Sequence, residues 1–156
     1  MTTNDILKRV RYAVRLGDAA MLDMLDKGSK SVSRELLDSW FLDEGDAAYA
    51  ECPRDALGAL LDGMILVLRG PSDRPPEPGA VAEVPDNNMV LKKLRIALEL
   101  KEEDLIAIMK LSNVELSRNE LTALFRKRGH KNYRECMDQF LRNFLAGLAK
   151  YRRSGV

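Results

Sequence analysis

Six basic side chains, Arg126, Lys127, Arg128, His130, Lys131 and Arg134, fall within one nine-residue stretch, with Asn132 and Tyr133 among them. Arginine and lysine hold phosphate oxygens by charge and hydrogen bonding, and an aromatic ring adds a surface on which a base can stack. Several such contacts would make binding fall steeply with salt. Upstream, Arg118, Asn119 and Thr122 sit on the outer side of a predicted helix and could reach base edges if that helix enters a groove. The ligand chemistry this suggests is DNA or RNA. Two other readings stay open: a solvated surface, or a docking site for an acidic protein.

Other chemistry is thinly represented. The chain has 2 cysteines, Cys52 and Cys136, and 1 histidine. There is no Cys-x-x-Cys, so a zinc site is not expected, and a reducing cytoplasm disfavours a disulfide. Each cysteine lies near a helix start, which can activate a thiol, but a small buried filler is the better reading. His130 has no evident orienting partner, which makes it a weak general base. Phosphate-binding, dinucleotide-binding and nucleophile-elbow motifs are missing. The sequence therefore predicts no catalytic residue, no metal, no cofactor and no enzymatic activity.

The elements that must position these residues come in two sets. Sliding the 156-residue chain against itself by 84 positions matches Asn4–Gly63 to Asn88–Gly147 without a gap, with 17 identities. The matched pairs include Leu7/Leu91, Arg11/Arg95, Ser33/Ser117, Gly45/Gly129, Tyr49/Tyr133, Cys52/Cys136 and Gly63/Gly147. One unit is used twice. The predicted domains are 1–69 and 86–156, joined by a linker over 70–85 that holds five of the six prolines.

Each copy reads as four helices, and the fold class is all-α. Apolar residues at 7, 10 and 14, matched by 91, 94 and 98, mark the first helix over 5–16 and 89–100, with Asn4 and Asn88 as N-caps. The second covers 18–27 and 102–111. The third follows Ser33 or Ser117, where Ser117 and Glu120 suggest a capping box. Gly45 and Gly129 come near where a left-handed C-cap is expected. The fourth runs over 53–69 and 137–152, with Pro53 at its first position and Gly63 and Gly147 where another helix could approach closely. The second and third helices invite comparison with a helix-turn-helix. The connection Ser112–Ser117 is longer than that motif's tight turn, which favours two simply packed helices. Arg11 with Glu51, and Arg95 with Glu135, are expected to form ion pairs that fix the loop before the fourth helix.

The segment FRKRGHKNYRECMDQFLRNFL closely resembles the bacterial YehS-like family, whose members carry two copies of this unit. The resemblance spans essentially the whole chain, although the first copy has GDAAYAEC in place of GHKNYREC. It implies a tandem all-helical, cytoplasmic protein and carries over no catalytic residue.

The near-zero total charge conceals an asymmetry. Residues 1–70 hold 9 basic against 12 acidic side chains, whereas residues 86–156 hold 15 against 9. Where the second copy has its basic stretch, the first has Asp43, Glu44 and Asp46. The first copy also replaces Glu120, Arg126, Lys150 and Tyr151 by Leu36, Leu42, Leu66 and Val67. The run Met64–Leu68 makes its fourth helix apolar nearly all round, which implies burial on more than one side. This surface is expected to contact another chain, a second copy of this one, or the other half. No apolar run approaches the roughly 20 residues that cross a bilayer, and the start lacks the pattern of a signal peptide. A soluble cytoplasmic protein is expected. It would bind nucleic acid through Arg118, Asn119, Arg126, Lys127, Arg128, His130, Lys131 and Arg134, or act as an adaptor for an acidic protein.

Overall fold

A computed structural model describes residues 1–71 and 84–153. Among them are eight α-helices and no strand: α1 (Thr3–Val14), α2 (Asp18–Lys27), α3 (Arg34–Ser39), α4 (Arg54–Arg69), α5 (Asn87–Ala97), α6 (Glu102–Leu111), α7 (Arg118–Leu124) and α8 (Asp138–Arg153). Most of the proline-rich linker expected at 70–85 lies outside the described residues. Among the described residues, contacts cluster into two compact units, residues 1–8 with 16–71 and 84–85, and residues 9–15 with 86–153.

In the first unit α2 lies against α4, with α3 beside α2. Its core holds Met21, Met24 and Leu25 of α2, Leu37 of α3, Trp40, and Leu57, Leu60, Leu61 and Met64 of α4. In the second unit α6 lies against α8, with α5 against α8 and α7 against α6. Val90, Leu91 and Leu94 of α5, Leu105, Ile108 and Met109 of α6, and Leu141, Phe144, Leu145 and Leu148 of α8 fill its core. These are the positions at helical spacing, and removing their apolar surface from water drives the packing.

The close approaches fall on the expected glycines. A Cβ added at Gly63 would lie 1.6 Å from the Met24 carbonyl oxygen, and one at Gly147 would lie 2.2 Å from that of Ile108. These are equivalent places, so both copies cross the same two helices at a residue with no side chain. Gly28 meets Ala59 in the same manner, its Cβ falling 1.9 Å from the carbonyl oxygen. The second copy has Ser112 there, whose hydroxyl donates to the Asn143 carbonyl at 2.6 Å.

Several terminus assignments change. Asn4 and Asn88 lie inside α1 and α5 and do not cap them. Thr2 accepts from the Asp5 amide at 3.1 Å, and its own amide donates back to the Asp5 carboxylate at 3.2 Å. Asp86 accepts from the Met89 amide at 2.8 Å. Pro53 is the N-cap of α4, one position before its first turn. Ser117 accepts from the Glu120 amide at 3.1 Å, but the Glu120 carboxylate turns to Arg134, so the capping box is only half formed. Gly45 and Gly129 do not cap α3 and α7, which end at Trp40 and Phe125. The left-handed residues that end helices are Arg15, Ser29, Glu99 and Asn113, two equivalent pairs that are not glycine. Gly129 has φ +94°, but in the loop beyond.

Candidate nucleic-acid interface

The scaffold under the basic stretch is a clasp built on an asparagine. Asn88 Nδ2 donates to the carbonyls of Leu124 at 3.0 Å and Arg134 at 2.9 Å, and Asn88 Oδ1 accepts from the Cys136 amide at 2.8 Å. One side chain on α5 thus ties together the end of α7 and both sides of the approach to α8. The first copy repeats the arrangement with Asn4, which donates to Trp40 and Ala50 and accepts from Cys52. The amide is needed because a peptide-like group can serve two carbonyls and one N–H together. Sequence reasoning missed this role. Its trace was visible in the recurrence of Asn4/Asn88 with Cys52/Cys136 at a fixed offset of 48 residues.

The loop anchored by this clasp carries the basic side chains outward. Lys127, Arg128, His130, Lys131 and Arg134 are exposed, and Arg126 is half-buried with its Nε unpartnered. Three of the arginines predicted to contact nucleic acid already face carboxylates: Arg118, expected at base edges, lies 3.6 Å from Glu102, while Arg128 and Arg134, expected at phosphates, lie 3.7 Å from Asp86 and 3.3 Å from Glu120. All are exposed pairs that stabilise the fold little and can be exchanged for another anion. Lys127 and Lys131 have no ion pair among the described residues. The structure therefore brings Arg126–Arg134 together on one loop but leaves fewer unengaged cations than the sequence count suggests.

The groove-reading part of the prediction is weaker. Helix α7 has only seven residues and is reached from α6 through the six residues 112–117. Arg118 and Asn119 are exposed on it, whereas the Thr122 hydroxyl is engaged in donating to the Arg118 carbonyl at 2.8 Å. Tyr133 is half-buried, and burial, followed by the nearby Asp86 charge, raises its phenol above the ordinary value. Tyr49 is raised by burial and then by Glu44. Equivalent rings in equivalent settings point to packing rather than to a stacking platform present in one copy.

The expected arginine–glutamate pairs do not form. Arg95 Nε donates to the Leu100 carbonyl at 3.1 Å, and its guanidinium lies 4.6 Å from the centre of the Phe125 ring. A carbonyl and a ring face satisfy it where a carboxylate was expected. Glu51 and Glu135 are exposed and make no ion pair among the described residues. The loop before the fourth helix is fixed by the asparagine instead. Cys52 and Cys136 are free and buried, and burial raises each thiol to about 12.

On the first copy, Leu36, Leu66 and Val67 are exposed, as is Leu68, while Leu42 is half-buried. The burial expected around α4 is not supplied at its C-terminal end by the core of its own unit. Met64 is buried, but the following turn runs out beyond the core and leaves Leu66, Val67 and Leu68 in solvent. In the second copy the same place is polar, and the Tyr151 hydroxyl donates to Asp104 at 2.7 Å.

Two similar all-helical units in tandem define the architectural class. The chain belongs to the family described as "Protein of unknown function (DUF1456)", whose model matches it twice, over residues 3–70 and 87–154. It is 39% identical over 149 residues to the "Uncharacterized protein YehS" of Escherichia coli (strain K12), an alignment covering 96% of this chain and 95% of that relative. No solved structure matches the chain. None of the described helices is long and apolar enough to cross a membrane.

Proposed function

We propose that the protein binds nucleic acid without catalysing a reaction, through the loop Arg126–Arg134 of its second repeat, and that its first repeat makes protein contacts. The carrying observation is the exposed cluster of Lys127, Arg128, His130, Lys131 and Arg134 on a loop whose backbone is clasped by Asn88. A clasped loop presents its charges without ordering itself anew on binding, which lowers the entropic cost of phosphate contact. Arg118 and Asn119 are exposed at the start of α7, the helix that leads into this loop. Leu36, Leu66 and Val67 supply exposed apolar area on the first repeat, with Leu42 half-buried. We place the protein in the bacterial cytoplasm, a setting that suits two buried free thiols.

The test is fluorescence anisotropy of labelled duplex DNA, single-stranded DNA and RNA over a salt series. Affinity is expected to fall steeply with salt and to be lost when Arg126, Lys127 and Arg128 are changed together to alanine. Absence of binding at low salt refutes the proposal. A second reading, an adaptor for an acidic protein, draws on the carboxylates that already face Arg118, Arg128 and Arg134. It gains ground if only an acidic polypeptide binds.

A further inference from the structure

We infer that Arg126 and His130 form a seat for a single phosphate oxygen, and that this seat holds one backbone phosphate of the bound nucleic acid. The inference rests on the nucleic-acid reading above and assigns it a specific contact.

The argument starts from the histidine ring. The Asn132 backbone amide donates to His130 Nδ1 at 3.0 Å. An amide can only donate, so Nδ1 must be the unprotonated acceptor. The neutral ring then carries its proton on Nε2. The first repeat supports this assignment. Asp46, equivalent to His130, accepts from the Ala48 amide at 2.9 Å, so the turn requires an acceptor at this position in both copies.

His130 Nε2 lies 3.5 Å from Arg126 Nη1. A guanidinium has no acceptor, so two N–H donors face each other across that gap. Neither has an acceptor on the other, and an arrangement of this kind is completed by an oxygen from outside. One oxygen about 2.8 Å from each donor fits across it, and an anionic oxygen gains most because Arg126 is always charged. Lys127 and Lys131, exposed and outside any ion pair among the described residues, supply further positive charge beside the seat. Of the carboxylates near the loop, Asp86 is paired with Arg128 and Glu120 with Arg134, and Glu135 makes no ion pair among the described residues. In the first repeat the corresponding residues are Leu42, Asp43, Asp46 and Ala47, which cannot build the seat. The two copies share the turn, and the second builds it with an acceptor residue that also has a spare donor.

Inorganic phosphate is titrated into the full chain at constant ionic strength, with chloride as the balancing ion. The side-chain NMR signals of Arg126 and His130 are followed, and labelled oligonucleotides are tested in parallel by anisotropy. Arg126→Leu and His130→Asp copy residues that already occupy the same places in the first repeat, and aspartate retains the acceptor for the Asn132 amide. Lys110→Ala is the control, because each of the three changes lowers the net charge by one. Phosphate is expected to move the Arg126 and His130 signals selectively. Arg126→Leu and His130→Asp are expected to weaken phosphate and oligonucleotide binding roughly tenfold, against about twofold or less for Lys110→Ala. Equal losses in all three variants, or signals that shift evenly along the chain, overturn the seat. If oligonucleotides bind and Arg126→Leu and His130→Asp bind them like Lys110→Ala, the seat fails and the nucleic-acid reading survives. If phosphate occupies the seat but no oligonucleotide binds at low salt, the nucleic-acid reading fails and the backbone-phosphate assignment falls with it.

Discussion

Asn4 and Asn88 show how much one side chain can decide. Each makes three hydrogen bonds to backbone groups that belong to two different parts of the chain. Replacing either by alanine leaves two carbonyls and one amide without partners. We expect a loss of about 2–4 kcal/mol in urea unfolding, larger for the fully buried Asn4 than for the half-buried Asn88. Glu99 makes the opposite case. Its φ of +54° places a residue with a Cβ in the left-handed region. Glu99→Gly is expected to stabilise the protein by about 1 kcal/mol, read as a rise in melting temperature, because glycine adopts that region without the steric cost. The cysteines are passive at this scale. Their thiols, raised to about 12 by burial, stay protonated at pH 8, so iodoacetamide should label the native chain slowly and the urea-unfolded chain rapidly.

At the scale of elements, the crossing of α2 with α4 and of α6 with α8 depends on Gly63 and Gly147. The atoms that a new Cβ would strike are backbone carbonyls, which cannot rotate away as a side-chain tip can. Gly147→Ala is expected to cost about 1–3 kcal/mol, and Gly63→Ala more, because its approach is the closer of the two. A polar tie joins α6 to α8. Asp104 is held below the usual carboxylate range first by the Lys101 backbone amide and then by the Tyr151 hydroxyl. A carboxyl depressed in the folded state adds stability above its unfolded value, about 3.9, and loses that contribution as pH falls through its folded value. The destabilisation caused by Tyr151→Phe should therefore be greatest near neutral pH and shrink as the pH falls through the folded-state value of Asp104, as measured by thermal melts across pH.

For the whole molecule, charge is the main difference between two copies of one scaffold. The second carries 15 basic against 9 acidic side chains over 86–156, and the first 9 against 12 over 1–70. A chain that is nearly neutral in total should still bind a heparin column through its second repeat, because local potential and not net charge governs such contact. Changing Arg126, Lys127 and Arg128 to alanine should move elution to clearly lower salt. Changing the three acidic residues Asp43, Glu44 and Asp46 to alanine should not weaken retention.

The duplication, the all-helical class and the approximate place of each helix were legible in the sequence, because apolar spacing acts locally and an internal repeat states every signal twice, whereas the caps expected at Asn4, Asn88, Gly45 and Gly129 were not the ones the fold uses. The close helix crossings were legible for the same reason: only glycine at 63 and 147 made sense on an otherwise apolar face. The tertiary structure decided what the polar side chains do. Whether Asn88 caps its own helix or clasps a loop 46 residues away depends on where that loop returns. Whether Arg95 meets Glu135 or the Leu100 carbonyl and the Phe125 ring depends on which lies nearer once the core has closed. The basic stretch was counted from the sequence. Its partial neutralisation by Glu102, Asp86 and Glu120, and the approach of Arg126 Nη1 to His130 Nε2, exist only in three dimensions. Hydrogen bonds and ion pairs act over a few ångströms between residues distant in the chain, so composition sets which are available and the fold selects among them.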